Sequence, residues 1–379
     1  MYKPFVIGLI LVVLTTGLLA AAGSEEAQPS QTDVLSLSWD QVIEQAQQEG
    51  TVVWYHWYLQ DRFREIVAQF EAEYGIEVVV PDGTLEANRN KLLAERNRPT
   101  GDIDVLSIGG DVVQQIDLPE LYLGPIVDVL PDGDKLRTRI QGGDTQGYAV
   151  AFWGNQTGIA YDPLRIDPAD LPQTVVELSE WIESNPDDFG FNYENGGSGP
   201  AFIQSVARNL ASQVDFSDGG DDPDKLAALA QVWDWFNTRE DQFIITGGNA
   251  DSLTRLNDGE FVMVPAWEDH LAGLQRSNQV DDRIAFYIPA FGMPGGGNVV
   301  GVPANAPHPA AALLLVSWIA SAETQTLFNV ELGAAPQHPD ADSSQALIPF
   351  EQRAYATDWA PQPFGQTFLN EFVTNVILE

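Results

Sequence analysis

The chain has 379 residues, 44% of them hydrophobic and none a cysteine, which leaves room for two or three domains and excludes disulfides, thiol catalysis and Cys-ligated zinc. A formal net charge of −37 excludes nucleic acid as a partner, because phosphate recognition needs a basic surface. With four lysines, Lys3, Lys91, Lys135 and Lys225, the acidic surface suits high salt, where screening tolerates self-repulsion, or serves a field that attracts a cationic ligand.

Lys3 precedes an apolar run over 6–19, and Ala20-Ala21-Ala22-Gly23 offers small residues for cleavage. Residues 1–23 therefore read as a signal peptide, with a retained anchor as the alternative. A lipid-anchored form would need a cysteine at the cleavage point. Residues 24–35 read as a polar linker. A helix is expected over 38–50, capped by Ser38 with Gln41 at the capping-box position and stopped by Gly50. Then follow strand 51–56, helix 62–74 stopped by Gly75, strand 76–80, helix 85–96 capped by Thr84, strand 103–108 and a short helix at 112–117. Strands alternating with amphipathic helices argue for βαβ units and a mostly parallel sheet. In such sheets ligands sit beyond the carboxyl ends of strands. Those ends are here His56-Trp57-Tyr58, Asp82-Gly83-Thr84 and Gly109-Gly110-Asp111.

The stretch "YAVAFWGNQTGIAYDP", residues 148–163, is β-rich on both sides of Gly154-Asn155-Gln156-Thr157-Gly158. The polar, flexible middle predicts a break in the strand. Beyond it come helices at 175–182, 201–210 and 225–236, a short helix at 253–257, strands at 261–265, 284–288 and 298–302, and a helix at 310–320 whose all-round apolarity predicts burial. The acidic turn "DGGDDPD", 218–224, lacks EF-hand spacing and reads as solvated.

No catalytic constellation stands out. The four histidines are scattered, and HExxH, P-loop, dinucleotide and nucleophile-elbow patterns are missing. "GGSGP", 196–200, opens a helix, so Ser198 and Gly199 either cradle an anion or simply start a capped helix. The aromatics say more. Trp57, Tyr58, Trp153 and Trp267 fall at expected strand ends or loops, with Asp111, Glu268 and Asp269 nearby. Aromatic faces beside carboxylates suit a cation, and they also suit a stacked sugar. With Gly109, Asn155, Ser198, Gly199 and Asn298 these form the candidate ligand-binding set. No metal site and no cofactor is expected.

The order of segments resembles the extracellular solute-binding proteins of ABC importers, the broad class with maltose-, polyamine-, thiamine- and iron-binding members. The matching stretches are "FEAEYGIEVVV", "GDIDVLSIGG" with Asp104, "YAVAFWGNQTGIAYDP", "LNDGEFVMVPAWE" and "NVVGVPANAPHPAAALLLVSWIASAETQ". The wording is nearest the thiamine- and polyamine-like subgroup. The Tyr-Tyr pair of ferric-binding members is missing. The resemblance implies a two-lobed α/β protein of the periplasmic-binding-protein type II fold, each lobe a mostly parallel sheet flanked by helices, with the ligand cleft between lobes. It places 36–151 and 285–335 in lobe 1 and 152–284 and 336–379 in lobe 2, with Gly154 and Gly158 flanking a hinge and Trp153 on the cleft wall. It implies a periplasmic or extracellular monomer, not an enzyme, that delivers a small molecule to a membrane permease. The expected ligand is a small organic cation, thiamine- or polyamine-like. The alternatives are a sugar-binding protein of the same class, a secreted hydrolase, and the periplasmic partner of a two-component sensor.

Overall fold

A computed structural model describes residues 34–140, 143–348 and 350–378, apart from the side chains of Asp111 and Phe350. The expected signal peptide and most of the linker lie outside the described residues. The last linker residues, Val34 and Leu35, already pack on the first hydrophobic core.

The first helix, Trp39–Glu49, forms as its punctuation dictates. Ser38 and Gln41 close a reciprocal capping box, and Gly50 ends the helix at φ 71°. It delivers the chain into β1 (Thr51–Tyr55). The remaining strands are β2 (Glu77–Val79), β3 (Val105–Gly109), β4 (Arg139–Ile140), β5 (Gly143–Asp144), β6 (Ala149–Tyr161), β7 (Phe189–Phe191), β8 (Phe243–Ile245), β9 (Met263–Trp267), β10 (Ala285–Tyr287), β11 (Met293–Gly301) and β12 (Ala356–Thr357). Eight of them lie in one hydrogen-bonded path, β2-β1-β3-β11-β6-β9-β7-β8, with β10 added on β6 and β12 on β11.

The expected parallel pairing holds at the two ends of this path. β2, β1 and β3 are parallel, and so are β9, β7 and β8. The centre differs. β6 carries the chain from one end of the path to the other and β11 carries it back. The two therefore run antiparallel to each other and to the strands they join.

Each end of the path has its own core. Trp54, Phe63, Phe70, Phe152 and Phe328 fill the first, together with the helix Pro309–Ala320, whose apolar surface is buried almost all round as its composition predicts. Phe189, Phe191, Phe202, Phe236 and Phe372 fill the second. Asp104 ties the first together from full burial. Its carboxylate accepts from the Val53 amide at 2.8 Å and from the backbone amide and Nδ1 of His308 at 2.7 and 3.0 Å.

Several expectations are corrected. Helix 62–74 forms as Gln60–Ile66 and Ala68–Tyr74, meeting at Val67, and helix 225–236 forms as Pro223–Ala227 and Ala230–Asn237. β10, expected in lobe 1, pairs with Ile159, Ala160 and Tyr161 of β6, and its Tyr287 packs in the second core. Residues 336–345, expected in lobe 2, still run along the first core's helix Ala322–Leu332: Gln325 Oε1 accepts from the amides of Gln337 and His338, and Asn329 Oδ1 from that of Gln345. At both places hydrogen bonding groups the segment with neighbours other than those the resemblance implies.

The expected break in 148–163 does not occur. β6 is one strand of 13 residues, almost wholly buried. Its polar middle serves strand packing. Gln156 Nε2 donates to Met293 O at 2.9 Å and Thr157 Oγ1 to Pro294 O at 2.5 Å, stitching β6 to β11. Gly154 and Gly158 permit close approach of neighbouring backbone. A Cβ on Gly154 would lie 2.4 Å from Ala335 O, and one on Gly158 2.4 Å from Tyr287 O.

Candidate functional site

A cleft of about 1570 Å³ opens between the two cores. The loop after β1 brings Trp57 and Tyr58 to one wall, and β3 ends beside them at Gly109. The opposite wall carries Trp267, at the end of β9, and Trp359, whose rings stack at 6.2 Å and 27°. Asn155 of β6 and Asn298 of β11 form the floor, so the two crossing strands lie directly beneath whatever occupies the cleft.

The floor carries two sets of polar contacts. Asn298 Nδ2 donates to the Tyr58 hydroxyl, joining the first wall to β11. Trp153 Nε1 donates to Asp269 Oδ2 at 3.3 Å, and the Asp269 amide donates to Asn155 Oδ1 at 3.5 Å. Asp269 sits in the first turn of the helix Glu268–Arg276. Burial pushes its carboxyl up to about 6, against the pull of the Trp153 and Asn155 hydrogen bonds. Burial, reinforced by the charge of Asp269, raises the Tyr58 hydroxyl well above its usual range, so it stays neutral.

Of the candidate residues, Trp57, Tyr58, Gly109, Asn155, Trp267, Asp269 and Asn298 line the cleft. Four do not. Trp153 is fully buried one layer below the floor, covered by Tyr58 at 5.4 Å between ring centroids, and only its indole nitrogen reaches the floor's polar contacts. Glu268 is also fully buried. It turns away from the cleft to Arg353 at 2.7 Å, while its Oε2 has no partner among the described residues and burial raises its carboxyl to about 7 against the pull of Arg353. Ser198 and Gly199 start a helix whose N–H groups are already satisfied by side chains. Asn249 Oδ1 accepts from the Ser198 amide at 3.3 Å and hydroxyl at 2.6 Å, and Asn192 Oδ1 from the Gly199 amide at 3.2 Å. The open anion cradle is thus replaced by an asparagine-capped helix start, and Gly197, just before it, faces the cleft instead. The side chain of Asp111 lies outside the described residues.

Trp359, Gln204 and Arg276 also line the cleft, and sequence reasoning missed them. Trp359 lies in an irregular segment with no periodicity to mark it. Gln204 sits mid-helix and is 3% exposed, with its amide nitrogen unpartnered among the described residues. Arg276 ends the helix that begins at Glu268 and donates to the carbonyls of Asn329 and Val330 at 3.0 and 3.1 Å, capping the first core's helix Ala322–Leu332. The acidic turn at 218–224 forms the cleft's edge and is organised from within. Lys225 Nζ takes the carbonyls of Asp218 and Gly220 at 2.6 and 2.8 Å and lies 3.6 Å from the centre of the Phe364 ring. No group of three or more His, Asp or Glu suited to a metal ion occurs among the described residues.

The geometry is that of a binding cleft between two lobes, and comparison with known proteins agrees. No curated protein matches the sequence. Solved structures share the fold. Iron-bound HitA from Pseudomonas aeruginosa is 19% identical, with a TM-score of 0.60 over 86% of this chain and 99% of that one. The spermidine/putrescine ABC transporter substrate-binding protein PotD from Streptococcus pneumoniae is 12% identical, with a TM-score of 0.61 over 86% and 97%. An ABC transporter solute-binding protein from Thermotoga lettingae, bound to alpha-D-tagatose, is 14% identical, with a TM-score of 0.63 over 86% and 93%. The sequence signature of the bacterial extracellular solute-binding proteins covers residues 65–352, three quarters of the chain. The chain therefore belongs to the bacterial extracellular solute-binding protein family.

Proposed function

We propose that this protein is the extracytoplasmic capture component of an ABC importer, binding a small organic solute between its lobes and presenting the closed form to a membrane permease. One observation carries it: aromatic walls beside two separate cores, Trp57 and Tyr58 against Trp267 and Trp359, face each other across a floor built from β6 and β11, the two strands at the centre of the main hydrogen-bonded path among the described residues. A solute touching both walls gains contacts only when they close on it, so binding favours the closed form. The lobes comprise residues 34–153 with 298–345, and 154–297 with 346–378. Closure bends β6 and β11 near their midpoints. The signal peptide exports the chain, and the protein works as a monomer without catalysis.

The ligand is an organic cation with a flat or extended apolar part. Asp269 supplies the counter-charge and the indoles supply the faces. Amides favour a second reading. Asn155, Gln204, Asn249 and Asn298 all line the cleft, and neutral donors and acceptors beside indoles also suit a sugar ring. Mass spectrometry of molecules released by denaturing the protein purified from its host identifies the ligand. Solution scattering with that ligand should show a smaller radius of gyration, and an unchanged profile at saturation refutes the clamp.

A further inference from the structure

Resting on that capture function, we infer that the ligand brings a single positively charged nitrogen to the cleft floor and that Asp269 alone answers it. Among the described residues three carboxylates line the cleft: Asp218, Asp269 and Glu331. Asp218 lies 3.5 Å from Lys225 Nζ, and Glu331 lies 3.4 Å from Arg62 Nη2. Glu268, the neighbouring acid, is buried behind the wall against Arg353. Asp269 has no ion pair with any basic side chain of the described residues. Its hydrogen-bond partners are neutral: the Trp153 indole, the Asn155 side chain and backbone groups. A carboxylate so placed is under-compensated, and a cation between the indoles supplies what the protein withholds.

The same charge count argues against a polyamine. A polycation needs several unpaired carboxylates, yet beyond Asp269 the cleft's other two, Asp218 and Glu331, already face Lys225 and Arg62, and Arg276 lies seven residues further along the same helix and so roughly 10 Å away along its axis. A long polycation laid along this wall would meet a guanidinium. A compact monocation on the floor would not.

Binding should therefore compete with a proton. Glu268, raised to about 7, titrates in the same range, so the Asp269→Asn variant is what assigns the pH dependence to Asp269. The loop after β1 contributes Tyr58, held neutral by burial. β6 and β11 contribute the neutral Trp153, Asn155 and Asn298. The helix of Asp269 contributes Glu268, turned to Arg353, and His270, whose ring burial holds below its usual value. With the carboxyl at about 6, affinity for a permanent cation should fall roughly tenfold from pH 7.5 to 5.

The test uses the mature chain and three probes: benzyltrimethylammonium, a flat monocation with no titrating group, spermidine, a polycation, and maltose, a neutral sugar. Calorimetry at pH 7.5 and 5 should show benzyltrimethylammonium binding, weakening about tenfold at the lower pH, with spermidine no tighter. Asp269→Asn should cost at least tenfold at pH 7.5 and flatten the pH dependence. Asp269→Glu, which keeps the charge, should retain that dependence. Binding of benzyltrimethylammonium that is absent, flat with pH, or indifferent to Asp269→Asn overturns the inference, as does tighter binding of spermidine. If maltose alone binds and contracts the protein in solution scattering, the single-cation inference fails while the clamp stands. If no probe binds and the ligand released from the host protein does not contract it either, both fail.

Discussion

His56 offers a clean test of how the aromatic wall is built. It follows β1 directly, is 0% exposed, and sits among Tyr58, Phe63, Trp57 and Trp54 at 4.3, 4.6, 5.0 and 5.3 Å between ring centroids. Neither ring nitrogen has a hydrogen-bond partner among the described residues, and burial lowers the imidazole to about 3. His56→Phe removes both unpaired atoms, worth about 1–3 kcal/mol, but adds volume that can cost as much in strain. The net change at one pH is therefore ambiguous, while its pH dependence is not. A histidine whose folded pKa is depressed costs nothing above its unfolded pKa of about 6.5; as pH falls below that, the unfolded state takes up a proton that the folded state refuses, and stability is lost. Between pH 7 and 5 that loss is about 2 kcal/mol for the parent and zero for the Phe variant, whereas packing strain is the same at both. Urea unfolding of both proteins at pH 7 and 5, in fixed molar salt, should show the variant gaining about 2 kcal/mol on the parent at the lower pH. Every other titrating group cancels in the comparison. A gap that does not change with pH refutes the reasoning, because it means the buried imidazole is protonated as readily as in the unfolded chain.

The −37 net charge predicts a melting temperature that climbs steeply from low to molar salt as self-repulsion is screened, and a flat response leaves the acidic surface unexplained by salt adaptation. Gly158→Ala should destabilise by several kcal/mol, since the added Cβ meets the Tyr287 carbonyl at 2.4 Å and strand backbone cannot swing away; a mild loss in thermal unfolding means β10 can shift. Lys225→Met should loosen the 218–224 turn and raise its amide hydrogen exchange, while protection in the first core stays unchanged. Trp359→Ala should cost about 0.5–1.5 kcal/mol through the lost stack with Trp267 and weaken solute binding, and a variant that binds like the parent removes Trp359 from the site.

Local chemistry was legible in the chain itself. Ser38, Gln41 and Gly50 mark the first helix, Gly75 stops the next helical stretch, and the apolar run at 310–320 announces a buried helix, because each signal acts within a few residues. The alternation of strands and helices reveals βαβ units for the same reason, the two-lobed arrangement came from the family resemblance, and aromatics at strand ends and in loops, such as Trp267 and Trp57, point to a cleft because no local pattern buries them. Tertiary structure decided the rest. The close approach that excludes a side chain at Gly154 and Gly158 appears only when Ala335 and Tyr287 arrive beside them, and Trp153 looks like a cleft residue until Tyr58 covers it. Glu268 and Asp269 are neighbours of the same charge type. Only the fold sends one to Arg353 and leaves the other at the floor, because a helix turns successive residues by about 100° and what waits on each side comes from elsewhere in the chain.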